Sequence, residues 1–289
     1  MKLPQKDVKV FYKLYHLLLR YTNKKYNLVT IPENFFQISL EDLRDLRNKL
    51  YDNPQLIDEY VEKNPDMLSG NELKIIESWH DFMRGDFVVI KYLKKYAIFL
   101  ELGDTPKAYG VLALLSPFEE ILGTPPAMVK VVLLPFKGKI IYDGIFQSYS
   151  VIFGKNYCKS INQAYQGAKF NSGIIESLPF DGKTERKDDR ERLKFYLKNE
   201  QNRITYEEEI KTLIRRDPHL LAVFHQEMGK IHARRTGRIL REIGVSQGWF
   251  ALLEGVVIGS GLTKSDVIKT IDALVPPQKK DFVYFFKLK

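Results

Sequence analysis

The spacing of apolar residues changes twice along this chain, and that change limits the fold more than any other feature. Up to residue 83, apolar side chains recur every three or four positions, the mark of amphipathic helices. Between residues 84 and 154 the repeat shortens towards two, and β-branched and aromatic residues crowd together, the mark of strands. From residue 155 the helical spacing returns. The chain therefore reads as α+β: an N-terminal helical region (1–83), a central small antiparallel β-sheet or barrel (84–154) and a C-terminal helical region (155–289).

Within the first region, Val8, Phe11, Tyr12, Tyr15, Leu18 and Leu19 form one helical stripe. Ser39 and Asp42 stand at capping-box spacing ahead of the stripe Leu40, Leu43, Leu46 and Leu50. Two shorter helices follow, at 56–61 and 73–82. Six strands are expected in the centre, at 87–93, 96–102, 108–115, 128–134, 139–142 and 144–153. The proline-rich stretch 117–127 is a connection, and Lys137-Gly138 and Asp143-Gly144 mark turns. In the last region, helices are expected at 161–178, 220–243, 248–258 and 263–274. Thr205 and Glu208 have capping-box spacing, and Thr263 and Asp266 are the cap of the last helix. The last two helices read as a core hairpin around Gly259-Ser260-Gly261 rather than a DNA-reading helix-turn-helix, because Lys264 and Lys269 are the only bases on the second. The charged run 181–203 reads as an exposed linker or solvated helix, and as the hinge. Residues 282–286 form a terminal strand that can join the central sheet.

The string LPFKGKIIYDG, residues 134–144, resembles a hairpin of uncharacterised prokaryotic proteins. The resemblance implies a shared β-element and no activity.

Composition narrows the function classes. With 44% hydrophobic and 28% charged residues the chain is globular rather than disordered. No run approaches ~20 apolar residues, so no membrane span is expected. Lys9, Lys13, His16 and Arg20 interrupt the first apolar stripe, so the N-terminus reads as mature protein rather than a signal peptide. The single cysteine, Cys158, excludes an intramolecular disulfide, fits a cytoplasmic protein and reads as a small buried hydrophobe.

The net charge of +9 is uneven: residues 1–82 carry −1, residues 83–154 carry +2 and residues 155–289 carry +8. Eight basic and two acidic residues fall between Lys211 and Arg241. Projected at ~100° per residue, the helix 220–243 has three faces. Leu220, Leu221, Phe224, Met228, Ile231 and Ile239 form an apolar face. Ala222, Gly229, Ala233 and Gly237 form a small-residue face, read as a site of close packing. Lys230, Arg234, Arg238 and Arg241 form a basic stripe suited to phosphate oxygens. Charge runs are usually solvated faces, so the plainer reading is a hydrated helix surface, or one paired with the acids of 181–209. In the β-region Lys94, Lys95, Lys137 and Lys139 lie among Tyr92, Tyr96, Tyr109, Tyr142, Phe146 and Tyr149, a composition that small barrels use to stack single-stranded nucleic acid and also to build their cores.

No catalytic motif is present. The sequence from Gly259 to Ser265 lacks the Gly-Lys step of a phosphate loop, and His225 and His232 are seven apart rather than at metal-ligand spacing. No catalytic residue, metal or cofactor is assigned. The expectation is a non-catalytic cytoplasmic binding or regulatory protein, with RNA or DNA as the leading partner, held by Lys230, Arg234, Arg238 and Arg241 and by the β-region lysines. The alternative is a protein-interaction module that docks an acidic partner or forms a homo-oligomer. A third reading is an enzyme without a recognisable motif.

Overall fold

The structure, a computed structural model, describes residues 2–149, 151, 153–180 and 188–289, with all of their side chains except that of Phe36. The chain is α+β, with a small β-barrel in the central part of the sequence and helices before and after it. It divides into two compact units, Met1–Thr184 and Glu185–Lys289.

Unit 1 begins with α1 (Gln5–Tyr26), α2 (Leu40–Asp52), α3 (Gln55–Lys63) and α4 (Gly70–Ser78). The stripe of α1 is buried as its spacing requires, with Phe11, Leu14, Leu18 and Leu19 fully inside. Ser39 accepts the Asp42 N–H and caps α2. Strands β1 (Met83–Tyr92), β2 (Ala97–Glu101) and β3 (Lys107–Leu112) follow, then a short helix, α5 (Phe118–Leu122), within the proline-rich connection. Strands β4 (Ala127–Phe136), β5 (Lys139–Tyr142) and β6 (Gln147–Tyr149) come next, and α6 (Lys155–Ser172) and β7 (Ile174–Ile175) complete the unit.

The strand order is β1-β2-β3-β5-β4-β6, and β1 also pairs with β4, which closes five strands into a ring. Pairings are antiparallel except β3–β5 and β3–β7, which are parallel. Along β1 the side chains alternate between two surroundings, as a period of two demands. Phe87 and Val89 belong to the large core shared with the N-terminal helices, whereas Val88 packs with Ile161, Tyr165 and Ala168 of α6. The β4–β5 turn is Lys137-Gly138, both with positive φ, the backbone that a two-residue hairpin requires. The stretch 144–153 contributes only the three residues of β6 to the sheet.

Unit 2 contains α7 (Asp189–Leu197), α8 (Glu200–Thr205), α9 (Glu207–Arg216), α10 (Leu220–Glu242), β8 (Gly248–Leu253), β9 (Val256–Gly261), α11 (Lys264–Leu274) and β10 (Tyr284–Leu288). Several expectations are corrected here. Part of the charged run is not an exposed linker: α7 buries Leu193, Tyr196 and Leu197 against Ile210, Leu213 and Leu220. The expected hinge at 181–187 lies outside the described residues. Thr205 is the last residue of α8 rather than the cap of α9, whose N-cap is Tyr206, without a side-chain cap bond. Residues 248–258 are not helical. They form a β-hairpin whose two-residue turn, Glu254-Gly255, has φ of 51° and 86°. The helix-turn-helix geometry is therefore absent. The terminal strand β10 pairs with β8 in a separate three-stranded sheet, ordered β10-β8-β9, and not with the barrel. Helix α11 covers this sheet through Val267 and Ile271. Its cap is a full capping box, with Thr263 accepting the Asp266 N–H and Asp266 accepting from Thr263.

Candidate functional site

Helix α10 runs over the stretch expected of it, and its faces are used differently from the apolar projection. The residues it buries are Leu220, Gly229, Ala233 and Gly237, so the small-residue face is the packed one. Its neighbour is β10. A Cβ on Gly229 would stand 2.3 Å from the Tyr284 Cβ, and one on Gly237 would stand 3.5 Å from Leu288 Cδ1. The apolar stripe divides. Its N-terminal part, Phe224 and Met228, packs beside Leu220 and the α7–α9 core, whereas Ile239 is exposed. A larger side chain on the small face would push β10 away, so glycine and alanine set the spacing between helix and strand.

That close approach shapes a groove of about 440 Å³ between α10 and β10. Ala233 and Gly237 form its floor, and Tyr284, Phe286 and Leu288 stand along one side. Among the described residues its charged lining is Lys230, Arg234, Arg241 and Lys287, with no acidic residue. Lys230 is held by Glu227 at 2.6 Å. The Arg241 guanidinium lies 3.5 Å from the Gly237 carbonyl and 3.4 Å from the Lys289 carbonyl, long contacts that leave donors available. Among the described residues, Arg234 and Lys287 have no ion-pair partner within 4 Å. Arg238 lies outside the groove lining and approaches Glu242 at 4.0 Å. Arg238 and Arg241 also sit in the last turns of α10, where positive charge offsets the helix dipole.

Three of the four stripe residues are therefore gathered at one groove, with Lys287 as a fourth cation that the helical projection missed. The only signal for Lys287 was the alternation of the terminal strand, which does not say what that strand faces. The four β-region lysines belong to unit 1. Lys95 pairs with Glu176, and Lys137 reaches Asp7 at 2.6 Å. Lys94 and Lys139 are exposed. Of the aromatic residues among them Tyr149 is exposed, its hydroxyl donating to Asp86 Oδ1 at 2.9 Å, and others turn inward. Tyr109 and Tyr142 are buried, Phe146 stacks on Tyr142 at 4.4 Å, and the Tyr92 hydroxyl donates to the Gly123 carbonyl at 2.9 Å. Those rings serve the core and its margin.

Other candidate groups have structural surroundings. His225 stacks on Phe282 at 4.4 Å, and burial lowers its pKa. The His232 ring lies against Gly255. Cys158 is half-buried rather than a core residue, with its thiol 3.7 Å from the Phe153 carbonyl.

A second concentration of chemistry lies in unit 1, where Asp143 stood out only as half of a turn signal. Its side chain is fully buried just after β5. The Ile145 N–H donates to Oδ1 at 3.1 Å, the Tyr15 hydroxyl lies 3.5 Å from Oδ2, and Arg47 Nη1 stands 3.6 Å from Oδ2. Burial raises the Asp143 pKa from 3.8 to about 7, against the lowering effect of Arg47. Within the same buried cluster, Arg47 Nε and Nη1 and the Tyr51 hydroxyl lack hydrogen-bond partners among the described residues.

Among the described residues, no helix is long and apolar enough to cross a membrane. Comparison of the chain with family models, curated proteins and solved structures gives no match.

Proposed function

We propose that the chain is a nucleic-acid-binding protein whose second unit holds a single strand of RNA or DNA along the groove between α10 and β10. One observation carries the reading: Lys230, Arg234, Arg241 and Lys287 line a single groove, with no acidic residue among the described residues of its lining. A phosphodiester backbone supplies the counter-charge that Arg234 and Lys287 lack among the described residues, and arginine matches phosphate oxygens with paired donors. Tyr284 and Phe286 beside the cations favour a single strand, since unpaired bases stack on aromatic side chains and duplex bases do not. The role is binding rather than catalytic. The cytoplasm is the compartment that a lone cysteine suits.

Ultraviolet crosslinking of a bound oligonucleotide, followed by peptide mapping, tests this. Adducts should concentrate on Tyr284 and Phe286. Adducts confined to unit 1 would place the interface elsewhere. A second reading is favoured by β9, an edge strand paired with β8 alone among the described residues, whose Val256 and Val257 are exposed. Such an edge is a template for strand pairing between two copies of the chain. A concentration-dependent dimer abolished by Val257→Lys would support self-association over nucleic-acid binding.

A further inference from the structure

The groove between α10 and β10 has a definite length, and helix and strand set it separately. Lys230, Arg234 and Arg241 share one face of α10, because steps of four and seven residues return to nearly the same side of a helix. From Lys230 to Arg241 the helix rises about 16 Å, at ~1.5 Å per residue. On the facing strand, Tyr284, Phe286 and Leu288 alternate onto the α10 side, where Gly229 lies against Tyr284 and Gly237 against Phe286 and Leu288. From Tyr284 to Leu288 the strand rises about 13 Å.

Both ends of this stretch are bounded. Ahead of Lys230, α10 carries no lysine or arginine. There the turn Pro277–Phe282 is tied to the helix: the Gln226 side chain donates to the Asp281 and Val283 carbonyls at 2.8 and 2.9 Å, and His225 stacks on Phe282 at 4.4 Å. Glu227 adds a carboxylate at this end, 2.6 Å from Lys230. At the other end α10 stops at Glu242, the residue after Arg241. That carboxylate and the free carbonyls of the last turn disfavour a phosphate beyond Arg241. Glu227 and Glu242 are the only acids of α10, and they bracket all of its lysine and arginine residues.

We propose that the groove grips a window of about four nucleotides within a single strand, the low end of the ~4–16 that single-strand modules occupy, and gains nothing from a longer tract. The inference rests on the nucleic-acid reading above and adds the size of the segment recognised. A length of 13–16 Å takes about three phosphodiester steps of an extended strand, which sets the window. The partner class is then any nucleic acid that exposes a few unpaired nucleotides. A short loop or tail satisfies the site as well as a long tract does.

Fluorescence anisotropy on the full chain at low salt, with end-labelled oligouridylates of two, four, six and twelve nucleotides, tests the window. Affinity should rise at least ~10-fold from two nucleotides to four. Beyond four it should grow only with the number of registers that a longer strand offers, and the log–log salt slope should level off at about −3. Arg234→Ala, an exposed position, should weaken the four-, six- and twelve-nucleotide strands by one common factor of ~10. Affinity per register, or a salt slope, that keeps growing beyond six nucleotides while Arg234→Ala still weakens binding overturns the window and leaves the nucleic-acid reading standing. Absence of binding at every length, or binding indifferent to Arg234→Ala, overturns both.

Discussion

Gly229 of α10 lies directly beneath Tyr284 of β10, so close that a methyl group on Gly229 would come within 2.3 Å of the Tyr284 Cβ. This contact fixes how near the strand approaches the helix, and so fixes the width of the groove that the basic residues share. Gly237, two turns on, has looser surroundings, with 3.5 Å to Leu288 Cδ1.

The two glycines should therefore respond in opposite ways to alanine. Gly229→Ala forces β10 outward and should destabilise unit 2 by about 1–3 kcal/mol, the usual result of overpacking. Gly237→Ala fits at ordinary contact distance and should be neutral or stabilising by up to ~1 kcal/mol, since alanine favours helix. Denaturant unfolding of the two variants checks the contrast. Equal effects would show that the close approach at Gly229 is not as described.

The β8–β9 turn offers a stabilising substitution. Glu254 holds a left-handed φ of 51°, which costs a residue with a Cβ about 1–2 kcal/mol. Asparagine tolerates that conformation better, so Glu254→Asn should raise stability by roughly 0.5–1 kcal/mol. Gly255→Ala should lower it, because the added Cβ would meet His232 Nδ1 at 3.1 Å in a backbone already at φ 86°. Thermal unfolding of both variants reads the two signs.

Asp143 makes stability depend on pH in a direction opposite to most carboxylates. Its folded pKa is raised from 3.8 to about 7, so the folded chain keeps a proton that the unfolded chain releases. The contribution is fully present below pH ~3.8 and is lost as pH rises towards ~7, at about 1.4 kcal/mol per unit. His16 acts with the other sign: its pKa is lowered from 6.5 to about 4, so its contribution is present above ~6.5 and is lost as pH falls towards ~4. The two overlap, so the difference between the wild type and Asp143→Asn isolates the aspartate. The wild type's advantage over that variant should shrink between pH ~4 and ~7. A difference independent of pH would show that the carboxyl group ionises normally in the folded chain.

Local signals in the sequence carried a good part of this fold. The ends of α10, the caps at Ser39 and Thr263 and the Lys137-Gly138 turn all follow from residues within four positions of one another. The β8–β9 hairpin did not, for a physical reason. Its apolar run is nearly continuous, so a period of two and a helical period both fit, and Glu254-Gly255 lacks the Asn-Gly signature of its turn. The site was legible in part. Lys230, Arg234 and Arg241 follow from helix geometry, but Lys287 joins them only through the pairing of β10 with β8 and its packing on α10. An apolar projection ranks Ile239 above Gly237 for burial, whereas close backbone approach buries the glycine and leaves Ile239 exposed. Asp143 and Arg47 are 96 positions apart, and nothing local announces their meeting.

The groove's role is tested most directly by the salt dependence of binding to a labelled single-stranded RNA, followed by fluorescence anisotropy. The wild type should show a log–log slope that falls steeply with salt. Arg234→Ala/Lys287→Ala should flatten that slope by about 1.4, since each lost phosphate contact on a single strand removes about 0.7. Lys94→Ala/Lys139→Ala, in unit 1, should leave it unchanged. Absence of binding at low salt, or a slope untouched by the groove variant, would contradict the assignment and return the basic stripe to a solvated helix face.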